Sequence, residues 1–174
     1  MVSLLLLPQL QAQEAPADGV YAITPERRAL LNTIRFAEGT WANGSVDGYR
    51  ILYGGGRFDD LSRHPEITVR RRYVSAAAGA YQFLPTTWRE ASARLGLRDF
   101  GVASQDQAAL YLVERRGVLA SVDRGAVDGP ALARLAPEWA SLPTPSGASH
   151  YGQPVKRQQD LLRFYRQQLS VLKG

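Results

Sequence analysis

The chain has 174 residues and a formal net charge of +5, from 21 Lys and Arg against 16 Asp and Glu. That length reads as one domain, and 45% hydrophobic with 21% charged residues is ordinary globular composition, which excludes collagen, coiled coil and wholesale disorder. With no cysteine and only two histidines, His64 and His150, thiol catalysis, cysteine zinc sites, a disulfide framework and a histidine-rich metal centre are excluded.

In chain order, Val2 to Leu7 is an apolar run broken by Pro8, far short of the roughly 20 residues a membrane-spanning helix needs. A small, polar stretch with Ala15-Pro16-Ala17 follows, so residues 1–20 read as the remnant of an export signal or a disordered tail. Residues 21–174 form the expected domain. Thr24-Pro25-Glu26 starts a helix with a hydroxyl cap, a proline in the first turn and an acid; Leu30, Leu31, Ile34 and Ala37 continue it to Gly39. Tyr49 to Tyr53 reads as a strand ending at Gly54-Gly55-Gly56, and Ile67 to Val74 as a second. Helices return at 85–95 and at 104–116, the latter capped by Ser104. Another is expected from Pro130 to Ala140 and a last one from Pro154 to Leu172, separated by a Gly- and Pro-rich loop over 143–154. The pattern predicts a mainly helical α+β domain with a small β-sheet or hairpin lobe on one side.

Glu38 is the carboxylate whose position suggests chemistry. It lies four residues from Ile34 and seven from Leu31, on the apolar face of the first helix, at that helix's negative end. Desolvation and the helix dipole both disfavour its charged form, as a general acid requires, although a surface acid at a fraying helix end has the same spacing. Downstream, Trp41, Tyr49, Tyr53, Phe58, Tyr73, Tyr81 and Phe83 lie among glycines, a mixture suited to sugar rings as well as to a core.

Ordered blocks along the chain resemble the lambda-phage-type endolysins, peptidoglycan lytic transglycosylases with a lysozyme-like fold. The blocks are Phe36-Ala37-Glu38-Gly39-Thr40, Gly48-Tyr49 leading to Gly54-Gly55, Phe58 with Asp60, Ser62 and His64-Pro65, and Ala78-Gly79-Ala80-Tyr81-Gln82-Phe83. They continue with Leu95 to Phe100, Ser104-Gln105-Asp106, Glu114-Arg115 with Gly117, Asp123-Arg124-Gly125, Trp139 to Pro143 and Tyr151-Gly152-Gln153. The resemblance spans residues 24–170. It implies a lysozyme-like domain over 21–174, with Glu38 as the catalytic acid and Gly79, Tyr81 and Gln82 lining the glycan groove. It also implies two lips, at 66–76 and 143–155, with Tyr151 and Gln153 as groove candidates; Tyr49, Tyr53 and Asp60 are further substrate-binding candidates. No metal or organic cofactor is implied. The chain departs from the phage pattern at Arg50, where an acid is usual, in a longer second lip over 144–150, and in its export-like start.

The expected reaction is cleavage of the β-1,4 bond between N-acetylmuramic acid and N-acetylglucosamine, with a 1,6-anhydro product formed by one acid. A hydrolytic muramidase is the alternative; it needs a second carboxylate about 6.5–9.5 Å away, for which Asp60 is the best candidate and Asp59 the next. Both also fit turn chemistry before Leu61-Ser62. A non-catalytic glycan-binding domain remains open, and Glu38 discriminates against it. Gln82 and Tyr81 read as donors to the substrate. Arg70-Arg71-Arg72 lies on the first lip, where it could meet stem-peptide carboxylates or form a solvated strand face. The expected partner is peptidoglycan, met by a monomer without nucleic-acid binding or membrane insertion, in the periplasm or outside the cell, exported or prophage-derived.

Overall fold

The computed structural model of the protein describes residues 19–152 and 155–174. The expectation for the first twenty residues therefore falls almost wholly outside the described residues, as does the placement of Gln153. Six helices and one two-stranded antiparallel sheet are described: α1 Pro25–Glu38, β1 Val69–Arg70, β2 Val74–Ser75, α2 Pro85–Leu95, α3 Val102–Arg115, α4 Leu119–Asp123, α5 Gly129–Leu135 and α6 Gln158–Lys173. The mainly helical α+β expectation holds.

Helix α1 forms as its sequence prescribes. The Thr24 hydroxyl accepts from the Arg27 amide, Pro25 opens the first turn, and Gly39 closes the helix in the left-handed region at φ 78°. Its apolar stripe is complete, with Leu30, Leu31 and Ile34 fully buried. The adjoining face packs on α6: Phe36 stacks on Phe164 at 4.3 Å between ring centroids, and Asn32 donates to Gln168 at 2.8 Å.

Several expected boundaries move for local reasons. The segment around Tyr49 is a 3-10 turn, Val46–Arg50, and only Ile51 and Leu52 are extended, bridging Arg57 and Ala78. The buried Arg35 guanidinium imposes that bend by donating to the carbonyls of Thr40, Trp41 and Ser45 while lying over the Tyr49 ring. The second expected strand folds back on itself as the β1–β2 hairpin, with Val69 opposite Ser75 and Arg70 opposite Val74. Helix α3 begins at Val102, not at Ser104, because the Asp99 carboxylate upstream accepts from both Gly101 N–H and the Ser104 hydroxyl. Helix α5 stops at Leu135, two residues before Pro137, and α6 starts at Gln158. Helix α4, five residues long, was not anticipated.

Candidate active site

Glu38 ends α1 at the floor of a groove of about 410 Å³. One wall carries Tyr53, the hairpin residues Tyr73, Val74 and Ser75, and Gln82 to Leu84; the other carries Pro137 to Ala140 and Tyr151. Burial among these groups pushes the Glu38 carboxyl up to about 7, because the charged form loses water. The Ser141 hydroxyl donates to Glu38 Oε1 at 2.5 Å and, with the Ser141 backbone N–H, pulls in the opposite direction without cancelling the effect of burial. Ser141 stands 103 residues from Glu38 and is held by its neighbours: Trp139 is buried and donates its indole N–H to the Tyr81 carbonyl, and Leu142 is fully buried.

The loop carrying Gly79 to Gln82 is clamped from three directions. Gln105 on α3 accepts from Ala80 N–H at 2.8 Å, the Thr40 hydroxyl donates to the Ala80 carbonyl at 2.5 Å, and Trp139 holds Tyr81. Gly79 has φ 84°, and a Cβ there would lie 2.3 Å from Gln105 Oε1, so the close approach requires glycine. Gln82, at φ 47°, is a non-glycine residue in the left-handed region. Its amide nitrogen donates to the carbonyls of Ile51 and Gly79, which turns it from the expected donor into an acceptor: the Oε1 atom is what remains for a ligand.

Two expected groove residues belong to the core. Tyr81 is fully buried and Tyr49 nearly so; both hydroxyls donate to Asp106 Oδ1, at 2.5 and 2.7 Å. Asp106 is itself buried and accepts from Arg28 at 2.7 Å. These tyrosines support the loop from behind and offer no donor to the groove. Gly79 likewise acts beneath the groove wall. Asp60 is exposed, outside the groove lining, and accepts from Ser62 N–H at 2.8 Å, so turn chemistry accounts for it. Asp59 is also exposed, and its carbonyl receives the Arg50 guanidinium. Tyr53, Gln82 and Tyr151 do meet Glu38 in one groove. The Tyr53 hydroxyl accepts from Tyr73 N–H at 3.3 Å, and the Tyr151 hydroxyl donates to the Pro137 carbonyl at 2.7 Å, fixing an aromatic ring on each wall.

Ser141 carries no site expectation from sequence, whereas Tyr73 is among the aromatics suited to sugar rings. Ser141 falls within the segment Trp139 to Pro143, but a serine in a loop carries no sequence sign of a partner a hundred residues away. The other carboxylate in the lining, Glu138, has a side chain only 5% exposed and is held by Arg115 and Arg116 at 2.8 and 2.7 Å. Among the described residues no group of three His, Asp or Glu side chains is placed to hold a metal ion.

With that geometry in place, comparison with known proteins decides the family. The family model Endolysin matches residues 28–172. The chain belongs to the endolysin family. It is 36% identical to the endolysin of Escherichia phage lambda over 83% of this chain and 92% of that protein. To the endolysin of Escherichia phage P2 it is 34% identical, over 79% of this chain and 89% of the other. Bacteriophage lambda lysozyme solved with a chitohexasaccharide superposes with a TM-score of 0.75 at 35% identity, over 85% of this chain and 96% of that one. A second structure of lysozyme from bacteriophage lambda gives 0.68 at 32% identity, over 88% and 95%. The fold is thus lysozyme-like, and this endolysin-family chain is a peptidoglycan-cleaving, cell-wall-lytic enzyme.

Proposed function

We propose that this enzyme is a lytic transglycosylase that cleaves the β-1,4 bond between N-acetylmuramic acid and N-acetylglucosamine, with Glu38 as its single acid–base residue. What carries the reading is the carboxylate content of the groove: its described lining holds Glu38 and Glu138, and Glu138 is committed to two arginines. Hydrolysis through two carboxylates needs a second, uncommitted one facing water. The alternative partner, Asp60, is exposed outside the lining and turned to Ser62.

One acid suffices for the intramolecular route. Glu38, held protonated near neutral pH, gives its proton to the glycosidic oxygen as the bond to C1 of muramic acid breaks. The resulting carboxylate then takes the proton of the C6 hydroxyl on the same sugar, whose oxygen bonds to C1. The proton is back on Glu38, and the product ends in a 1,6-anhydro ring. Holding the nucleophile on the substrate itself replaces an encounter with water by a unimolecular closure. The sugar's N-acetyl group can stabilise the intermediate, as in substrate-assisted glycosidases. In this reading Gln82 Oε1 accepts from that group's N–H, and the rings of Tyr53, Tyr73 and Tyr151 offer faces for sugar C–H groups. That a lambda lysozyme was solved with a chitohexasaccharide supports a glycan in the corresponding groove here. We take a monomer acting at the cell wall, in the periplasm or outside the cell, as the working form.

Mass spectrometry of fragments released from purified peptidoglycan tests the reading. Products one water lighter than hydrolysed fragments are expected from the wild type, and none from Glu38→Gln. Fragments with reducing ends would replace the transglycosylase by a muramidase.

A further inference from the structure

The groove accounts for the glycan but leaves a cluster of charge at its rim unused. Arg70, Arg71 and Arg72 occupy the end of the β1–β2 hairpin, all exposed, in a turn closed by Arg71 N–H donating to the Tyr73 carbonyl at 2.9 Å. Each is tied to a residue of the groove wall or its neighbour. Arg70 is the cross-strand partner of Val74, which lines the groove. The Arg72 guanidinium lies 5.7 Å from the Tyr73 ring centre, on another lining residue. Arg71 lies along Gly54, the residue after Tyr53, so closely that a Cβ there would be 3.0 Å from Arg71 Cγ.

None of the three guanidinium groups has a carboxylate partner among the described residues. By contrast Arg57, Arg89 and Arg115 are paired with Asp47, Glu66 and Glu90 at 2.5–2.8 Å. Three adjacent like charges repel one another, and with no internal counter-ion they are free to meet an external anion. The glycan backbone itself is largely uncharged. The anionic part of peptidoglycan is the short peptide that muramic acid carries, with its free carboxylates, and that peptide must leave the groove over a rim.

We propose that the β1–β2 hairpin binds this part of the substrate: Arg70, Arg71 and Arg72 hold free carboxylates of the stem peptide and make the enzyme prefer peptide-bearing strands over naked glycan. The inference rests on peptidoglycan occupying the groove. Planar guanidinium forks suit carboxylates in pairwise hydrogen bonding, and the tyrosine under Arg72 limits the rotamers that binding must freeze.

The test compares the wild type with the triple variant Arg70→Gln, Arg71→Gln, Arg72→Gln on two substrates: solubilised peptidoglycan strands, and the same strands stripped of peptides by an amidase, with the lactyl carboxylates that this frees converted to neutral amides. The wild type should show a KM about three- to tenfold lower on peptide-bearing strands, the sum of a few exposed charge pairs. That advantage should fade between 0.05 and 0.5 M NaCl, roughly, as screening shortens the reach of exposed charges. In the Gln variant the advantage should vanish, with kcat and the KM on naked strands unchanged, and the corresponding triple Lys variant should keep much of it. Equal KM ratios in wild type and Gln variant would overturn the proposal. So would a matching KM rise on naked strands, which would point to bound anions on the glycan or to a damaged hairpin. The chemistry of the product ends is scored in the same reactions: reducing ends would refute the transglycosylase reading while leaving the comparison of KM values to judge the arginines.

Discussion

Replacing Glu38 by Gln should make the protein more stable at alkaline pH while abolishing its activity. In the folded chain the Glu38 carboxyl titrates at about 7 against its ordinary value of 4.5. Below about pH 4.5 the group is neutral in both folded and unfolded chains and contributes nothing. Between 4.5 and 7 the unfolded chain releases the proton that the folded one holds, so stability falls as pH rises; above 7 the full cost is present. At about 1.36 kcal/mol per pH decade that cost is about 3 kcal/mol. Gln cannot ionise, but it offers one acceptor oxygen where the carboxylate offered two, so it forfeits up to about 1 kcal/mol of the bonding from Ser141 at every pH. The variant should therefore be slightly less stable than wild type at pH 4 and about 2 kcal/mol more stable at pH 8.5. The change between the two conditions, about 3 kcal/mol, is free of that loss and corresponds to roughly 6–12 °C in Tm for a domain of this size. Urea unfolding followed by circular dichroism at pH 4, 6 and 8.5 measures it, and titrations shared by both proteins cancel in the difference. Parallel stability curves for the two proteins across this range would refute the buried-acid account of Glu38.

Further outcomes are expected. Activity should fall as pH rises through about 7, where Glu38 loses its proton, and Ser141→Ala, which removes a donor that favours the carboxylate, should move this limb of the kcat/KM profile to higher pH; an unmoved limb would exclude the contact from setting the titration. Asp60→Asn should change kcat by less than about threefold, since general acid–base partners are worth about 10²–10⁴ and Asp60 stands outside the groove; a hundredfold loss would favour two-carboxylate hydrolysis. Gly79→Ala should cost about 2–4 kcal/mol in urea melts, from the left-handed backbone and the clash with Gln105, and a loss below about 1 kcal/mol would show that Gln105 can give way.

Local signals in the sequence were sufficient for the first helix. The Thr24 cap, Pro25, the apolar stripe and Gly39 define α1 and so place Glu38 where the structure has it. Aromatic residues were harder to sort, because a tyrosine among glycines fits a sugar groove and a core equally. What separates Tyr53 and Tyr151 from Tyr49 and Tyr81 is Asp106, a residue on α3 that gathers the latter two hydroxyls from below. Likewise, the strand expected at Tyr49 bends because of Arg35 on α1, and Glu138 is withdrawn from chemistry by arginines more than twenty residues earlier. Tertiary partners decide these cases, and spacing along the chain does not carry them.

The burial of Glu38 also sets when the enzyme acquires its reagent. The carboxyl belongs to the first described helix, but the groove lining around it comes from Tyr53 to Leu84 and, about a hundred residues later in synthesis, from Pro137 to Ala140. A chain whose later segment has not docked carries an ordinary, water-exposed glutamate that gives up its proton at ordinary carboxylate pH. Arming of the acid is thus coupled to completion of the fold, and a nascent or locally opened chain is disarmed without any inhibitor.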